Sequence, residues 1–377
     1  MPAATPRGLR RTPEGIRGTA GFDPAPSMGY ARKSGTPKAL MDAFKLTRSL
    51  IDINSVTPNE GEIGDFLFDY LEPLARRFGG FIEKQEVEPG RNNVWAWWGE
   101  PEVVFSTHMD TVPPFIASSE DDEFIWGRGA CDTHGIAAAM LKALERLLEE
   151  GTRGLGILLV VGEEVDGTGA RHANRNPPAV KFLINGEPTE NLLALASKGT
   201  LGFKIKAAGR ACHSAYPELG ESATELLLDR LNRLRQLEWP TDPVLGETTV
   251  NIGTLDAGPA ANIIADYASA AVVIRIVGDL AETERLAMSV LDGVEVEVFS
   301  YTPALRMHEI EGFETSIVKY TTDIPKLSDW GRPLLIGPGS IHFAHTAEER
   351  IPKRQIEDAI GIYARLARSL KAPAAAA

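Results

Sequence analysis

VVFSTHMDTVPPFIASSEDDEFIWGRGACDTHG, residues 103–135, sets the organisation of the whole chain. It opens on an apolar run, Val103-Val104-Phe105, of the kind that forms a buried strand. His108 and Asp110 follow at its end. Two residues apart on an extended segment, they share one side, so one can hold a metal while the other orients the ring. A polar loop then leads to GRGACDTHG, with Asp132 just ahead of an apolar helix. A cation would sit there beyond the carboxyl end of a strand in an α/β sheet.

Working outward, Ala43 to Ile53 and Glu60 to Phe78 carry apolar residues at helical spacing, and Gly79-Gly80 ends the second helix. Phe81 to Val87 and Asn93 to Trp98 read as strands around a turn at Pro89-Gly90. Ile136 to Glu150 is a helix stopped by Gly151. Gly156 to Val161, GILLVV, and Ala179 to Ile184 are continuous apolar strands, the mark of burial on both faces. They end in Gly162-Glu163-Glu164 and Asn185-Gly186-Glu187. Strands alternating with helices, with polar groups at their carboxyl ends, describe a doubly wound, mostly parallel α/β sheet.

The texture changes near Ser197. Gly199 to Ala207, a helix from Ser222 to Leu237, Thr248 to Leu255, Tyr267 to Val277, a helix from Ala281 to Leu291, and Val294 to Tyr301 follow in turn. The order is β-α-β-β-α-β, an inserted α+β domain. The expected organisation is a catalytic domain of residues 39–197 and 305–371 with the insert at 198–304. Glu314 to Thr321, Pro333 to Ile336 and a helix from Lys353 to Leu370 complete the α/β part. Residues 1–38 and 372–377 read as disordered tails, with order beginning near Lys38, and Met28 and Met41 are alternative starts.

The chain has 377 residues, 43% hydrophobic and 24% charged, as expected of a soluble globular protein. Its net charge of -13 argues against nucleic acid or an anionic membrane as partner. No run of about 18 apolar residues suggests a membrane span. The only cysteines, Cys131 and Cys212, are expected to be free thiols in a reducing, cytoplasmic setting.

His108, Asp132, Glu163, Glu164, Glu187 and His345 each fall at or just after a strand. Singly, each has an ordinary explanation: a hydrogen-bonded histidine, a helix N-cap, a solvated pair of glutamates. Together they form a set able to hold two cations. Such a pair needs one bridging carboxylate, terminal ligands for each ion, and a general base for the water. His172 and His308 have no motif context, His134 reads as a supporting or surface residue, His345 is preferred to His342, and the Trp95, Trp97 and Trp98 cluster reads as sheet packing.

The strings HMDTVP, WGRGACDTHGIAAAML, GEEVDGTGA, INGEPT, GRACHSAYPELG and GPGSIHFAHTAEE occur in that order. In this the chain resembles the dinuclear zinc amidohydrolases that include acetylornithine deacetylase, succinyl-diaminopimelate desuccinylase, aminoacylase and glutamate carboxypeptidase. The resemblance spans nearly all of residues 40 to 370. It implies two zinc ions, with cobalt or manganese as substitutes. His108 and Glu187 would be terminal ligands of one ion, Glu164 and His345 of the other, and Asp132 the bridge. Glu163 would be the general base and Asp110 would hold the His108 ring. A cis peptide would follow Asp132. The insert would be a lid and dimerisation module, its His213 stabilising an oxyanion and its Asn262 and Arg275 holding a substrate carboxylate.

The expected reaction is amide hydrolysis of an N-acyl-L-amino acid in amino-acid biosynthesis. A dipeptidase or carboxypeptidase is the alternative within the enzyme class, and a non-catalytic ligand-binding relative the alternative outside it. A nucleotide-binding α/β protein is disfavoured, because no strand-GxGxxG-helix or P-loop occurs.

Overall fold

A computed structural model describes residues 41–371; the expected tails and the expected start near Lys38 lie outside them. Val103–His108 forms the predicted strand, all six residues buried. It is flanked in parallel by Leu155–Val160 on one side and Phe182–Asn185 on the other. Parallel strands covered by helices on both faces leave no wet side, which is why these runs are apolar without alternation.

Among the described residues the large sheet has nine strands. Outward from Val103–His108 on one side come Leu155–Val160, Arg91–Trp98 and the edge strand Phe81–Glu88; on the other, Phe182–Asn185, Arg332–Leu335, Leu193–Ser197 and Leu305–Arg306, with Thr315–Val318 also paired to Leu193–Ser197. The sheet is parallel at its centre and largely antiparallel at its flanks. The mostly parallel sheet expected from the alternating elements is therefore a mixed one. A tight turn such as that between Phe81–Glu88 and Arg91–Trp98 can only reverse the chain, whereas parallel neighbours need a long crossover. Leu193–Ser197 and the short helix Thr168–Ala173 are elements that apolar periodicity did not reveal.

The helix Gly135–Glu149 follows the site segment and is buried on nearly every side. It packs on the helices Ala43–Ile51 and Lys353–Lys371. Each fully buried leucine there, Leu144 among them, contributes about 1.5–3 kcal/mol of transfer free energy. That anchorage fixes where the helix begins, and therefore where Asp132 stands.

Residues 199–302 build a second, antiparallel sheet in the order Thr249–Ala257, Tyr267–Ile276, Gly199–Ala208, Glu295–Thr302. The helices Ala223–Gln236 and Leu280–Met288 accompany it, so the β-α-β-β-α-β order is present. Leu201, Phe203, Ile205, Leu227, Val272 and Ile274 give it an apolar core separate from that of the large sheet. Only Lys198 separates Leu193–Ser197 of the first sheet from Gly199–Ala208 of the second.

Asn93, fully buried, ties the turn after Leu155–Val160 into the sheet: its Nδ2 donates to Gly169 O (2.9 Å) and its Oδ1 accepts from Val161 N (3.2 Å). A Cβ on Gly169 would collide with the Val161 backbone, so the turn can close only on glycine. Asn93→Ala strands the buried Val161 N–H, and should cost about 1–3 kcal/mol. Urea denaturation should show a lower midpoint at unchanged slope.

Candidate metal centre

Parallel register places the carboxyl ends of the central strands side by side. His108 lies opposite Val160, and Ser106 opposite Asn185. With neighbouring strands about 4.8 Å apart, His108, Glu163-Glu164 and Glu187 all emerge at one end of the sheet. Asp132 arrives from the turn before the helix Gly135–Glu149. Thr133 Oγ1 donates to His108 O (2.8 Å), and the Asp132–Thr133 peptide is cis. His345 belongs to the loop after Arg332–Leu335, which pairs in parallel with Phe182–Asn185.

His108 Nδ1 faces the Asp110 carbonyl oxygen at 2.9 Å, and a carbonyl only accepts, so Nδ1 carries the proton. In the neutral ring this leaves the Nε2 lone pair toward Asp132 Oδ1, 3.0 Å away. On the other side of the same carboxylate, Asp132 Oδ2 is 3.3 Å from His345 Nε2, which also lies 3.0 Å from Glu164 Oε1. Ligand atoms bound to one tetrahedral cation at 2.0–2.1 Å stand about 3.3 Å apart. The Asp132 carboxylate thus faces an imidazole on each side at separations that suit shared cations. Ligand atoms of His108, Asp132 and Glu164 lie within 4.8 Å of one another. Glu187 is outside that tight group but buried, and it feels the charges of Asp132 and Glu163. Imidazoles with several carboxylates are a donor set that fits divalent cations.

Asp110 touches the His108 ring chiefly through its backbone; its Oδ1 is 3.6 Å from Nδ1. Its carboxylate instead accepts from Thr57 Oγ1 (2.7 Å) and from the amides of Glu163 (3.0 Å) and Glu164 (3.1 Å). One buried acid therefore orients both the histidine strand and the glutamate turn.

Burial pushes the Glu163 carboxyl up to about 8, helped by Asp323 and Glu164 and opposed by His108 and Lys326. Glu187 is raised well above the usual carboxyl range, by burial first and then by Asp132. For Asp132, burial works upward, but hydrogen bonds to His108 and His345 hold it well below the usual value. His345, bonded to Asp132 and Glu164, is raised to about 10. His345 also has φ 63°, in the left-handed region, a strained backbone of the kind held at functional sites.

The lid candidates stand apart from this group. His213 and Asn262 share a short ribbon, Cys212–His213 paired with Ile263–Ile264, with Ser214 N donating to Asn262 O (3.0 Å). His213 is exposed, and its Nδ1 accepts from Ala215 N (3.1 Å), so Nε2 carries the proton of the neutral ring. Arg275 donates to Thr200 Oγ1 (2.7 Å), and among the described residues no carboxylate pairs with it. Among those residues, no hydrogen bond or ion pair joins these three to the metal-ligand group.

Four further residues surround the centre without a sequence signal of their own. Thr57 and Asp323 bear on Asp110 and Glu163 as described. Tyr320 Oη donates to Pro188 O (3.0 Å), next to Glu187. Glu349 reaches the Asp132 amide (3.2 Å). Of these, only Glu349 lies within a quoted motif. His134 is buried, its Nε2 3.2 Å from both Ser55 Oγ and Met109 O, and burial lowers it to about 4.

A parallel-centred α/β sheet with imidazoles and carboxylates gathered at its strand ends is a scaffold able to hold divalent cations. Residues 104–369 match the model of peptidase family M20/M25/M40. A peptidase M20 domain-containing protein of Schizosaccharomyces pombe is 38% identical over 337 residues, 86% of this chain and 83% of that protein. A probable carboxypeptidase of Uncinocarpus reesii is 35% identical over 404 residues, 90% of each. A tripeptidase from Staphylococcus aureus superposes with a TM-score of 0.72 at 22% identity, covering 86% of this chain and 98% of that one. The chain belongs to peptidase family M20/M25/M40 and is a hydrolase. Among the described residues no helix is long and apolar enough to cross a membrane.

A carboxyl raised on folding holds a proton that the unfolded chain releases. For Glu163 that stability is complete below about 4.5 and lost as pH rises through about 8; for His345 it is complete below 6.5 and lost toward about 10. Metal-stripped protein should therefore melt at progressively lower temperature between about pH 6.5 and about pH 9, above the range where the lowered His134 acts in the opposite sense. Added divalent cation should flatten that slope and raise Tm. A metal-stripped Tm that does not change across this window would contradict the clustering of these groups.

Proposed function

We propose that this chain is a two-cation amidohydrolase that cleaves the amide bond beside a free α-carboxylate, releasing the C-terminal residue of a short peptide. The observation that carries this reading is the Asp132 carboxylate, with one oxygen toward His108 and the other toward His345. His108 and Glu187 would hold one cation, Glu164 and His345 the other, and Asp132 both. Zinc is the ion best suited to the donor set, with cobalt or manganese as substitutes. When bound, the cations would polarise the scissile carbonyl and ease deprotonation of water.

Glu163 is the base in this reading. Its raised pKa makes the carboxylate a competent acceptor for the water proton, and its conjugate acid can then protonate the leaving amine. Asp110 holds the Glu163 amide, so the base is oriented from beneath. Arg275, without an acidic partner among the described residues and with its charge disfavoured by burial, would pair with the substrate carboxylate beside Asn262. His213 would offer its Nε2–H to the developing oxyanion once the second sheet approaches the first. A homodimer formed through that sheet belongs to the same proposal, since Phe299, Tyr301 and Leu255 are exposed on its outer strands. A cytoplasmic location is also part of it, consistent with free Cys131 and Cys212.

Relatives named probable carboxypeptidase favour a peptide over the N-acyl amino acid expected from the motifs. Both substrates present the same scissile amide and carboxylate. A panel of dipeptides, tripeptides, N-acetyl and N-succinyl amino acids, each with a free and an amidated carboxyl, separates them. Peptides with a free carboxylate should turn over fastest; equal turnover of amidated substrates would remove the role given to Arg275. Glu163→Gln should lower kcat by about 10²–10⁴-fold while cation stoichiometry stays at the wild-type value. Wild-type kcat in that variant would end the assignment of the base.

A further inference from the structure

Glu349 and Arg128 form an ion pair that is almost fully buried, 1% and 2% exposed. Arg128 Nη1 donates to Glu349 Oε2 at 2.6 Å. The other oxygen, Oε1, accepts from the backbone amides of Cys131 (3.3 Å) and Asp132 (3.2 Å). The two segments are also stitched by backbone: Gly127 N donates to Glu349 O (3.0 Å), and Arg350 pairs with Trp126 in an antiparallel strand. Glu349 stands four residues after His345. Arg350 lies 3.8 Å over the Phe343 ring and 4.6 Å over that of Trp126, closing the loop from the other side.

We propose that Glu349 is a positioning residue of the metal centre, a buried anion that fixes the Asp132 backbone so that its two oxygens face His108 and His345 together. The inference rests on the metal reading above. A buried ion pair is ordinarily a feature of the fold alone, and breaking one destabilises whatever its location. Here one carboxylate oxygen is given to the main chain of the bridging residue itself, and the same side chain belongs to the loop that carries the opposing imidazole. Main-chain amides cannot follow a retreating acceptor as a long arginine side chain can. Glu349 therefore sets the position of Asp132 relative to His345 by contacts that neither ligand makes.

Two variants separate this role from a plain ion pair. Glu349→Asp keeps the negative charge for Arg128 but withdraws the oxygens by about 1.5 Å, one C–C bond, from the amides. Glu349→Gln keeps an oxygen at the amides and removes the charge. Affinity for Zn(II), measured by competition with a chromophoric chelator, and the absorption spectrum of the Co(II)-substituted protein report on the site independently of turnover. Glu349→Asp should weaken one of the two cation sites by about 10–100-fold and lower kcat to a similar degree, with KM within about twofold of wild type. Glu349→Gln should retain more of both. Wild-type cation affinity in Glu349→Asp, or a Glu349→Gln variant worse than Glu349→Asp, would overturn the proposal. If neither variant folds, hydrogen exchange on the wild-type chain decides. The Asp132 amide should be strongly protected without metal; exchange at the rate of an exposed amide overturns the proposal. A wild-type protein that takes up no Zn(II) overturns the metal reading together with this one, whereas normal uptake with an unaffected Glu349→Asp overturns this one alone.

Discussion

A single carboxylate held between two imidazoles is the interaction on which the rest of the centre depends. Asp132 meets His108 with one oxygen and His345 with the other. Around it stand Asp110, Glu187 and Asp323, which are buried, and Glu163 and Glu164, which are half-buried. Burial and mutual repulsion raise the carboxyls of Glu163, Glu187 and Asp323. Positive charge is what such a place lacks, and protonated histidines or divalent cations can supply it. The scaffold therefore has to hold like charges together before any ligand offsets them.

It does so by backbone, which cannot relax away. The central strands deliver their ends in register, and Asp110 binds the amides of both glutamates that follow the neighbouring strand. Thr57, from the loop after the first helix, completes that acid's hydrogen bonds. Asn93 holds the same turn from beneath, through Val161 and Gly169. On the far side, the long buried helix after Asp132 and the C-terminal helix form one packed layer, so Asp132 is referred to the core. Preorganisation of this kind holds like charges in place without reorganisation of the surrounding backbone.

The second sheet follows a different rule. It has its own apolar core and reaches the first through Lys198 and, on return, through Pro303 and Ala304. Where the chain crosses, Gly199 is packed so closely on the backbone of Thr302 to Ala304 that a side chain would not fit. Arg275 sits on this second sheet, while the imidazoles and carboxylates that fit cations sit on the first.

Much of this was legible in the chain itself. Apolar runs of strand length ending in Glu163-Glu164 and in Glu187 revealed buried parallel strands, because burial on both faces leaves a continuous signature. The motif order also pointed to His108, Asp132 and His345 as members of one set. Spacing could not show that Asp110 would spend its carboxylate on two amides and touch the ring mainly through its carbonyl. Nor could it single out Glu349, whose partner Arg128 lies 221 residues away and whose neighbour Glu348 is exposed. The strand Leu193–Ser197 escaped for a related reason: its place is set by the strands beside it, not by any pattern of its own. Periodicity records which face of an element is dry, and a motif records which side chains occur. Which buried acid meets which amide depends on distances between segments remote in the chain, and those exist only once the sheet has closed.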